Sequence, residues 1–299
     1  MNEKDTNFKN ENALPLVSIG MPIYNGLSKN HKFSTDIRKA LNSILNQTYK
    51  NLEIIISDNC STDDTANVIN EMTKNDKRVK FFRQNKPLGP AENFSFVLSK
   101  ANGKYFKWNC HDDFISDNFI EKNLNFLEIN KNFVFSSSST CYDFEYLSKK
   151  NILSFDFEKS TYNRIKDFHK YRSVCLSMVY GLIRRENLIN TIKFTKNYLA
   201  IDWIVVLELL FQGYFKSIDE GLIVIGSTGR STDKSHLKRK EYFSKFVYHI
   251  LPYYEFNKVC IINTLKSKEL NFLEKISIIF TTLKMNLAYM YYYKLKKII

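Results

Sequence analysis

Asp112 and Asp113 stand side by side near the end of the stretch FKWNCHDDF (106–114). The residues before them read as a buried strand and its end. Burying one carboxylate is costly, and burying two like charges costs more unless a cation shares the site. The pair therefore calls for a cation. Two further acids sit beside apolar runs: Asp58 closes LEIIISD (52–58), and Asp202 stands near the start of AIDWIVVLELLFQG (200–213). Arg83 lies in VKFFRQ (79–84), another strand-like run.

The elements that must hold these residues follow from periodicity. LVSIGMPIY (16–24), LEIIISD, VKFFRQ and KYFKWN (104–109) read as strands. Between them, helices are predicted over 34–47, 61–72 and 90–103. The second opens with a cap-like Ser61 and acids in its first turn, and the third begins with Pro90 and stops at Gly103. Four such alternations predict an α/β fold, a parallel sheet with helices on both faces. Ligands of such sheets bind beyond the carboxyl ends of the strands. The segments in that position are PIYN, SDNCSTDD, RQNKPLG and CHDD, all polar. None carries a GxGxxG fingerprint or a P-loop. Further on, strands are expected at 133–144, 152–158 and 221–228, a strand turning into a helix at 179–188, and an apolar helix at 200–213.

The bulk composition narrows the possibilities. The chain has 299 residues, 44% of them hydrophobic, enough for a substantial core. A net charge of +13 points to an anionic partner. Five cysteines without a CxxC pair fit neither a disulfide framework nor a zinc site and favour a reducing compartment. The polar N-terminus lacks the apolar region of a signal peptide, and no uninterrupted apolar run is long enough to span a bilayer.

VSIGMPIYN, ILNQTYKNLEIIISDNCSTDDT and GKYFKWNCHDDF together resemble the family 2 inverting glycosyltransferases of the GT-A fold, of the type that builds bacterial surface polysaccharide. The resemblance is strong over about 15–130 and visible to about 232. It implies a nucleotide-diphospho-sugar donor, a UDP-sugar first of all, and a mostly parallel sheet flanked by helices. It divides the chain into a loose arm (1–13), a catalytic domain (14–232) and a basic helical extension (233–299). Within the domain, 14–115 would bind the nucleotide-sugar and 116–232 the acceptor.

The resemblance also assigns roles. Pro22, Tyr24 and Asn25 would line the nucleoside pocket, with Asn93 also on the donor side. Asp58 would accept a hydrogen bond from the base, the alternative being a cap for the following helix. Arg83 would face the base or a phosphate, the alternative being a solvated surface residue. The family's D-x-D-D motif reads Cys110-His111-Asp112-Asp113, so its first acid is missing. Asp112 takes the place of the metal ligand for Mn2+ or Mg2+, and Asp113 would order the loop or the sugar hydroxyls. The alternative for both is a helix N-terminus. Asp202 matches the general base, with Ile201 where an acid often stands, and helix capping is its alternative. Trp108 and Trp203 flank these acids and would stack on a sugar or fill the core. Arg230 and His236 lie where relatives carry a loop near the diphosphate.

The acceptor implied is a glycan or a lipid-linked oligosaccharide. From 238 onward basic residues outnumber acids, and apolar residues recur near helical spacing. That pattern fits either a helix on an anionic membrane or one packed on the domain. The chain would then be cytoplasmic, peripheral on the inner face of a bacterial plasma membrane. Two other readings are a sugar-phosphate nucleotidyltransferase, which lacks its Gly-rich loop here, and a nucleic-acid-binding protein. Acids at the strand tips would repel nucleic acid, so no nucleic-acid partner is expected.

Overall fold

The computed structural model describes residues 14–27, 37–142, 153–172, 176–191, 198–226, 251 and 253–290. The first half alternates β1 (Val17–Ile23), α1 (Ile37–Leu45), β2 (Leu52–Asp58), α2 (Thr65–Thr73), β3 (Val79–Arg83), α3 (Pro90–Ser99) and β4 (Tyr105–Trp108). A two-residue strand, β5 (Phe114–Ile115), follows the acid pair, then α4 (Phe119–Ile129) and β6 (Phe133–Tyr142). Next come α5 (Thr161–Tyr171), β7 (Leu182–Arg184), α6 (Arg185–Ile189), α7 (Ile201–Gln212) and β8 (Tyr214–Ile225). The last elements are α8 (Tyr254–Lys266) and α9 (Phe272–Met290).

The strands form one eight-stranded sheet in the order β3-β2-β1-β4-β7-β6-β8-β5. β3, β2, β1 and β4 are parallel, while β7 and β5 pair antiparallel with their neighbours. The sheet is thus mixed beyond β4. Each face carries its own core. On one face Val17, Ile19, Met21 and Ile23 of β1 meet Leu41 and Ile44 of α1 and Leu124 of α4. On the other, Phe106 and Trp108 of β4 pack with Val97 of α3, Leu207 of α7 and Phe256 of α8. Alternation along each strand makes both assignments. Pro22 is tolerated inside β1 for a local reason. Gly20 O accepts from Asn109 N at 2.9 Å on the β4 side. Pro22 faces that same side, two residues past the last β1–β4 pair, so no ladder bond is lost.

Two expectations change. Of the segment 152–158, the described residues 153–158 do not form a continuous strand. They make isolated bridges at Leu153 and Asp156, bury Phe157, and set Asp156 3.3 Å from Lys216. β8 begins well before residue 221, because its polar middle is absorbed as a bulge. Pairing jumps from Ser138↔Ile218 to Ser139↔Leu222, and Gly221 takes φ +77° between them. One predicted helix also starts later: α2 begins at Thr65 rather than Ser61, while residues 34–36 of the first predicted helix lie outside the described residues.

At the end of the sheet opposite the strand tips, Glu53 joins four segments. Its carboxylate accepts from Ser18 Oγ at 2.6 Å, Lys80 Nζ at 2.7 Å and the N–H groups of Asn102 at 2.6 Å and Gly103 at 3.2 Å. Burial alone would push its pKa up, but these donors outweigh burial and hold it at about 2. A depressed carboxyl pKa stabilises the fold above the unfolded value, near 4.3, and that stability is lost as pH falls towards the folded value. Glu53→Gln is therefore expected to destabilise by about 1–3 kcal/mol at neutral pH. Chemical denaturation should show this deficit shrinking as pH falls below about 4, and a deficit constant with pH would contradict it.

Candidate active site

The tips of β1 and β2 are laced to each other by side chains. The residues expected to open α2 serve this purpose, although Asp63 Oδ1 also accepts from Thr65 N at 3.1 Å. Ser61 Oγ accepts from Asn25 N at 2.8 Å, Thr65 Oγ1 from Gly26 N at 2.8 Å, and Asp63 Oδ2 from Leu27 N at 3.2 Å. Asn25 Oδ1 returns the contact by accepting from Thr62 N at 2.9 Å. Asn25 itself holds φ 50°. Among the described residues, three non-glycines have left-handed backbone: Asn25, Cys60 and Ala200. The first two lie at these tips and the third two residues before Asp202. Such conformations cost roughly 1–3 kcal/mol and persist where surrounding contacts impose them.

Asp58 ends β2 fully buried. One carboxylate oxygen, Oδ1, accepts from Ser61 N at 3.1 Å, a turn within the tip rather than a helix cap. The other, Oδ2, is buried without a hydrogen-bond partner, with Arg83 Nε 3.5 Å away. Arg83 also donates to Ser61 O at 3.2 Å, so it lies across the β2 tip while staying largely exposed. Tyr24 leaves the end of β1 with 53% of its surface exposed, whereas Pro22 is buried in the strand. Asn93, expected on the donor side, ties two elements together. Its Oδ1 accepts from Ser57 Oγ at 2.6 Å and its Nδ2 donates to Ser57 O at 3.3 Å, binding α3 to the end of β2.

Past β4 the chain turns sharply, and Cys110, Asp112 and Asp113 place one candidate ligand atom each within 4.8 Å of one another. Both aspartates are 3% exposed. They do not cap α4, which starts at Phe119 behind Asn118. The end of β8 clamps this turn. Gly226 N donates to Asp113 Oδ1 at 2.9 Å, and a Cβ on Gly226 would lie 2.4 Å from Asp112 O. Only glycine fits there. Asp113 Oδ2 is buried with no hydrogen-bond partner. An acceptor-only oxygen left unpaired beside a second carboxylate suits a hard divalent cation.

The protein also supplies a cation of its own. Lys107, in the middle of β4, is fully buried. Its Nζ donates to Trp108 O at 2.9 Å and Tyr180 O at 2.8 Å, and lies 5.1 Å from the centroid of the Phe119 ring. Burial pushes its pKa down, against the upward pull of Asp113 and Cys110. For Asp113 burial pushes the pKa up, the Asp112 charge adds to this, and Gly226 N–H and Lys107 pull back. Burial, then Asp113 and Asp112, raise the Cys110 thiol well above its ordinary range, so it is no thiolate nucleophile.

Tyr180 joins this cluster to the second half of the chain. Its side chain hydrogen-bonds Cys110. Its hydroxyl is pushed well above the usual tyrosine range by burial first, then by Cys110, Asp113 and Asp202. Asp202 thus acts on the same tyrosine as the acid turn. It stands in the first turn of α7, behind the left-handed Ala200, which caps with no side chain. Both tryptophans pack against other aromatic side chains. Trp108 is fully buried, its indole N–H donates to Phe94 O at 3.1 Å, and Phe106 meets it edge-on. Alternation turns it onto the face under α3, opposite Lys107, so it has no ring face for a sugar. Trp203 stacks on Tyr253 at 5.7 Å. Glu208 lies partly buried in the α7 interior, two turns beyond Asp202. Arg230 and His236 lie outside the described residues.

Lys107, Tyr180 and Gly226 escape the sequence reading. Lys107 had a signal, a lysine inside a short apolar strand. Tyr180 had none, because only folding brings it to Cys110.

A mixed sheet of this order, with helices on both faces and acids beyond its parallel strands, is a GT-A type fold. The glycosyl transferase family 2 model matches residues 18–190, and the chain belongs to that family. An uncharacterized glycosyltransferase of Haemophilus influenzae is 40% identical over 114 residues, covering 38% of this chain and 43% of the relative. A Campylobacter jejuni protein described as GalNAc(5)-diNAcBac-PP-undecaprenol beta-1,3-glucosyltransferase is 37% identical over 101 residues, 33% of this chain and 30% of that protein. The matched stretch thus spans less than half the length of these relatives. Among solved structures, S. aureus TarS 1-349 in complex with UDP-GlcNAc is similar with a TM-score of 0.64 at 16% identity, over 89% of this chain and 71% of that one.

A carboxyl whose pKa is raised in the fold supports folding at low pH and loses that support as pH climbs through its folded value. In chelator, wild type is expected to lose stability relative to Asp113→Asn as pH rises from about 4 to neutrality. Asparagine keeps the acceptor for Gly226 N–H without the charge. Melting curves of the two proteins that run parallel across this range would contradict the assignment.

Proposed function

We propose that this chain is an inverting glycosyltransferase that moves a sugar from a UDP-sugar to a hydroxyl of a bacterial surface glycan, such as capsule, lipopolysaccharide or lipid-linked oligosaccharide. One observation carries this reading. Tyr180, hydrogen-bonded to Cys110, has its hydroxyl pushed up by the charges of both Asp113 and Asp202, which supports placing the acid turn after β4 and the acid that opens α7 near each other. Donor-side and acceptor-side groups of a direct displacement need that adjacency.

The buried Asp58 Oδ2 is an acceptor suited to an N–H on the edge of uracil, with Arg83 beside it for the base or a phosphate. The UDP-GlcNAc bound in the TarS structure supports the choice of nucleotide. Tyr24, Asn25 and Pro22 form the adjacent tip, with Tyr24 exposing its ring to stack on a base. Asp112 and Asp113 would hold Mn2+ or Mg2+, with Cys110 at the position of the missing acid. Such an ion, when bound, neutralises the diphosphate leaving group. Asp202 accepts the proton of the acceptor hydroxyl as its oxygen attacks the anomeric carbon, and one displacement inverts that centre. Arg230 is proposed to approach the diphosphate. The undecaprenol-linked chemistry in the name of the C. jejuni relative supports a lipid-linked acceptor at the inner face of the plasma membrane.

Asp202→Asn is expected to leave UDP affinity unchanged in calorimetry and to lower turnover by about 10²-fold or more. Parallel loss of nucleotide affinity would mean that Asp202 shapes the pocket instead. Asp112→Asn should keep the melting temperature yet abolish the gain in UDP affinity that Mn2+ gives wild type. Undiminished Mn2+ dependence in that variant would remove Asp112 from the metal site.

A further inference from the structure

α9 is apolar on two opposite faces. Its inner face is docked. Ile278, Thr282 and Met285 are buried, Thr282 Oγ1 lies 3.1 Å from His169 Nε2, and Ser277 Oγ lies 3.0 Å from the Tyr162 hydroxyl of α5. Its outer face carries Phe272, Leu273, Ile276, Phe280, Leu283 and Leu287, each between 48% and 76% exposed. At helical spacing these six fall within an arc of about 100°, centred opposite the buried face. Contiguous exposed apolar stripes of this kind mark interaction surfaces.

Charge chooses the occupant. Lys275 and Lys284 flank the stripe on its two sides, and Lys284 is exposed. From 238 to 299 the chain holds twelve lysines and arginines against four acids, and the whole chain is +13. A two-fold contact between copies would bring the same surface of each against the other, setting these lysines face to face. An anionic bilayer surface pairs with them instead. Among the described residues no helix is long and apolar enough to cross a membrane, so the element would lie flat on it.

We propose that the outer face of α9 seats the protein on an anionic lipid surface, its six apolar side chains at the level of the acyl chains and its lysines among the headgroups. This surface is separate from the nucleotide site and does not depend on the donor assignment. Held by its inner face to the catalytic domain, α9 would make the domain a rigid rider on the membrane.

Co-sedimentation of the full chain with vesicles tests the proposal. Binding is expected to vesicles of phosphatidylglycerol and phosphatidylcholine, to be weak to phosphatidylcholine alone, and to fall with added salt as screening shortens. The triple variant Phe280→Gln, Leu283→Gln, Leu287→Gln should bind more than about tenfold more weakly, with melting temperature and UDP affinity unchanged. Lys284→Gln should cost about fivefold, the equivalent of about 1 kcal/mol. Three results would overturn the proposal. One is equal vesicle binding by wild type and the triple variant, or none by either. Another is a lowered melting temperature in the triple variant, which means that the stripe is covered within the protomer. The third is a concentration-dependent dimer that the triple variant dissolves, without vesicle binding, which means that a second copy covers it.

Discussion

Two carboxylates buried at the end of β4 set the terms for the rest of this structure. Asp112 and Asp113 are each 3% exposed, and neither can sit there ionised without positive charge nearby. The fold answers with Lys107, a fully buried ammonium tied to two carbonyls and facing an aromatic ring. A lysine that desolvated is itself unfavourable alone, so each group makes the other tolerable. The compensation remains incomplete, because Asp113 Oδ2 keeps no hydrogen bond. A divalent ion drawn to the turn would meet that unspent oxygen.

The surroundings of the turn follow from the need to hold it still. Gly226 packs directly on Asp112 and donates to Asp113, so the end of β8 sets the turn's shape. Tyr180 gives its carbonyl to Lys107 and its hydroxyl to Cys110, which ties the segment before β7 to both cation and thiol. The neighbouring tips are held as firmly. Side chains from SDNCSTDDT satisfy the backbone of the β1 tip, and strained backbone at Asn25 and Cys60 is the cost of that lacing. Asp58 is thereby fixed with one oxygen spent inward and one unspent. A site built this way presents acceptors in advance of its ligand and loses little order on binding.

The C-terminal helices answer a question that hydrophobicity alone leaves open. Apolar residues at helical spacing fit packing on a core and lying on a membrane equally well. In α9 both patterns coexist on opposite faces. The inner one is closed by Thr282, His169 and Cys260, whose polar atoms bond each other inside the core. The outer one has no such partners among the described residues.

Much of the fold was legible because each signal was local. Buried strands such as LEIIISD, the alternation of strand and helix, and the polar tips all depend on neighbours within a few residues. The same locality explains the errors. The strand-like 152–158 run pairs, among its described residues, only through isolated bridges, at Leu153 with β6 and at Asp156 with β8, which its own sequence does not show, and the polar middle of β8 hides a bulge that pairing with β6 creates. Ser61 looked like a helix cap because the sequence cannot show that the backbone of another loop uses its hydroxyl, and Asp63 serves both, accepting from Thr65 N as well as Leu27 N. Trp108 beside the acids suggested a sugar platform, until the sheet assigned its face to the core. What the sequence by itself determined was the chemistry, namely where acids follow buried strands and hence which family the chain belongs to. Only the tertiary structure decided how those charges are tolerated, by Lys107 from below, Gly226 from β8 and Tyr180 from a distant segment. The electrostatics of a buried site are a property of three-dimensional neighbours, and residues far apart in the chain leave no mark on each other in the sequence.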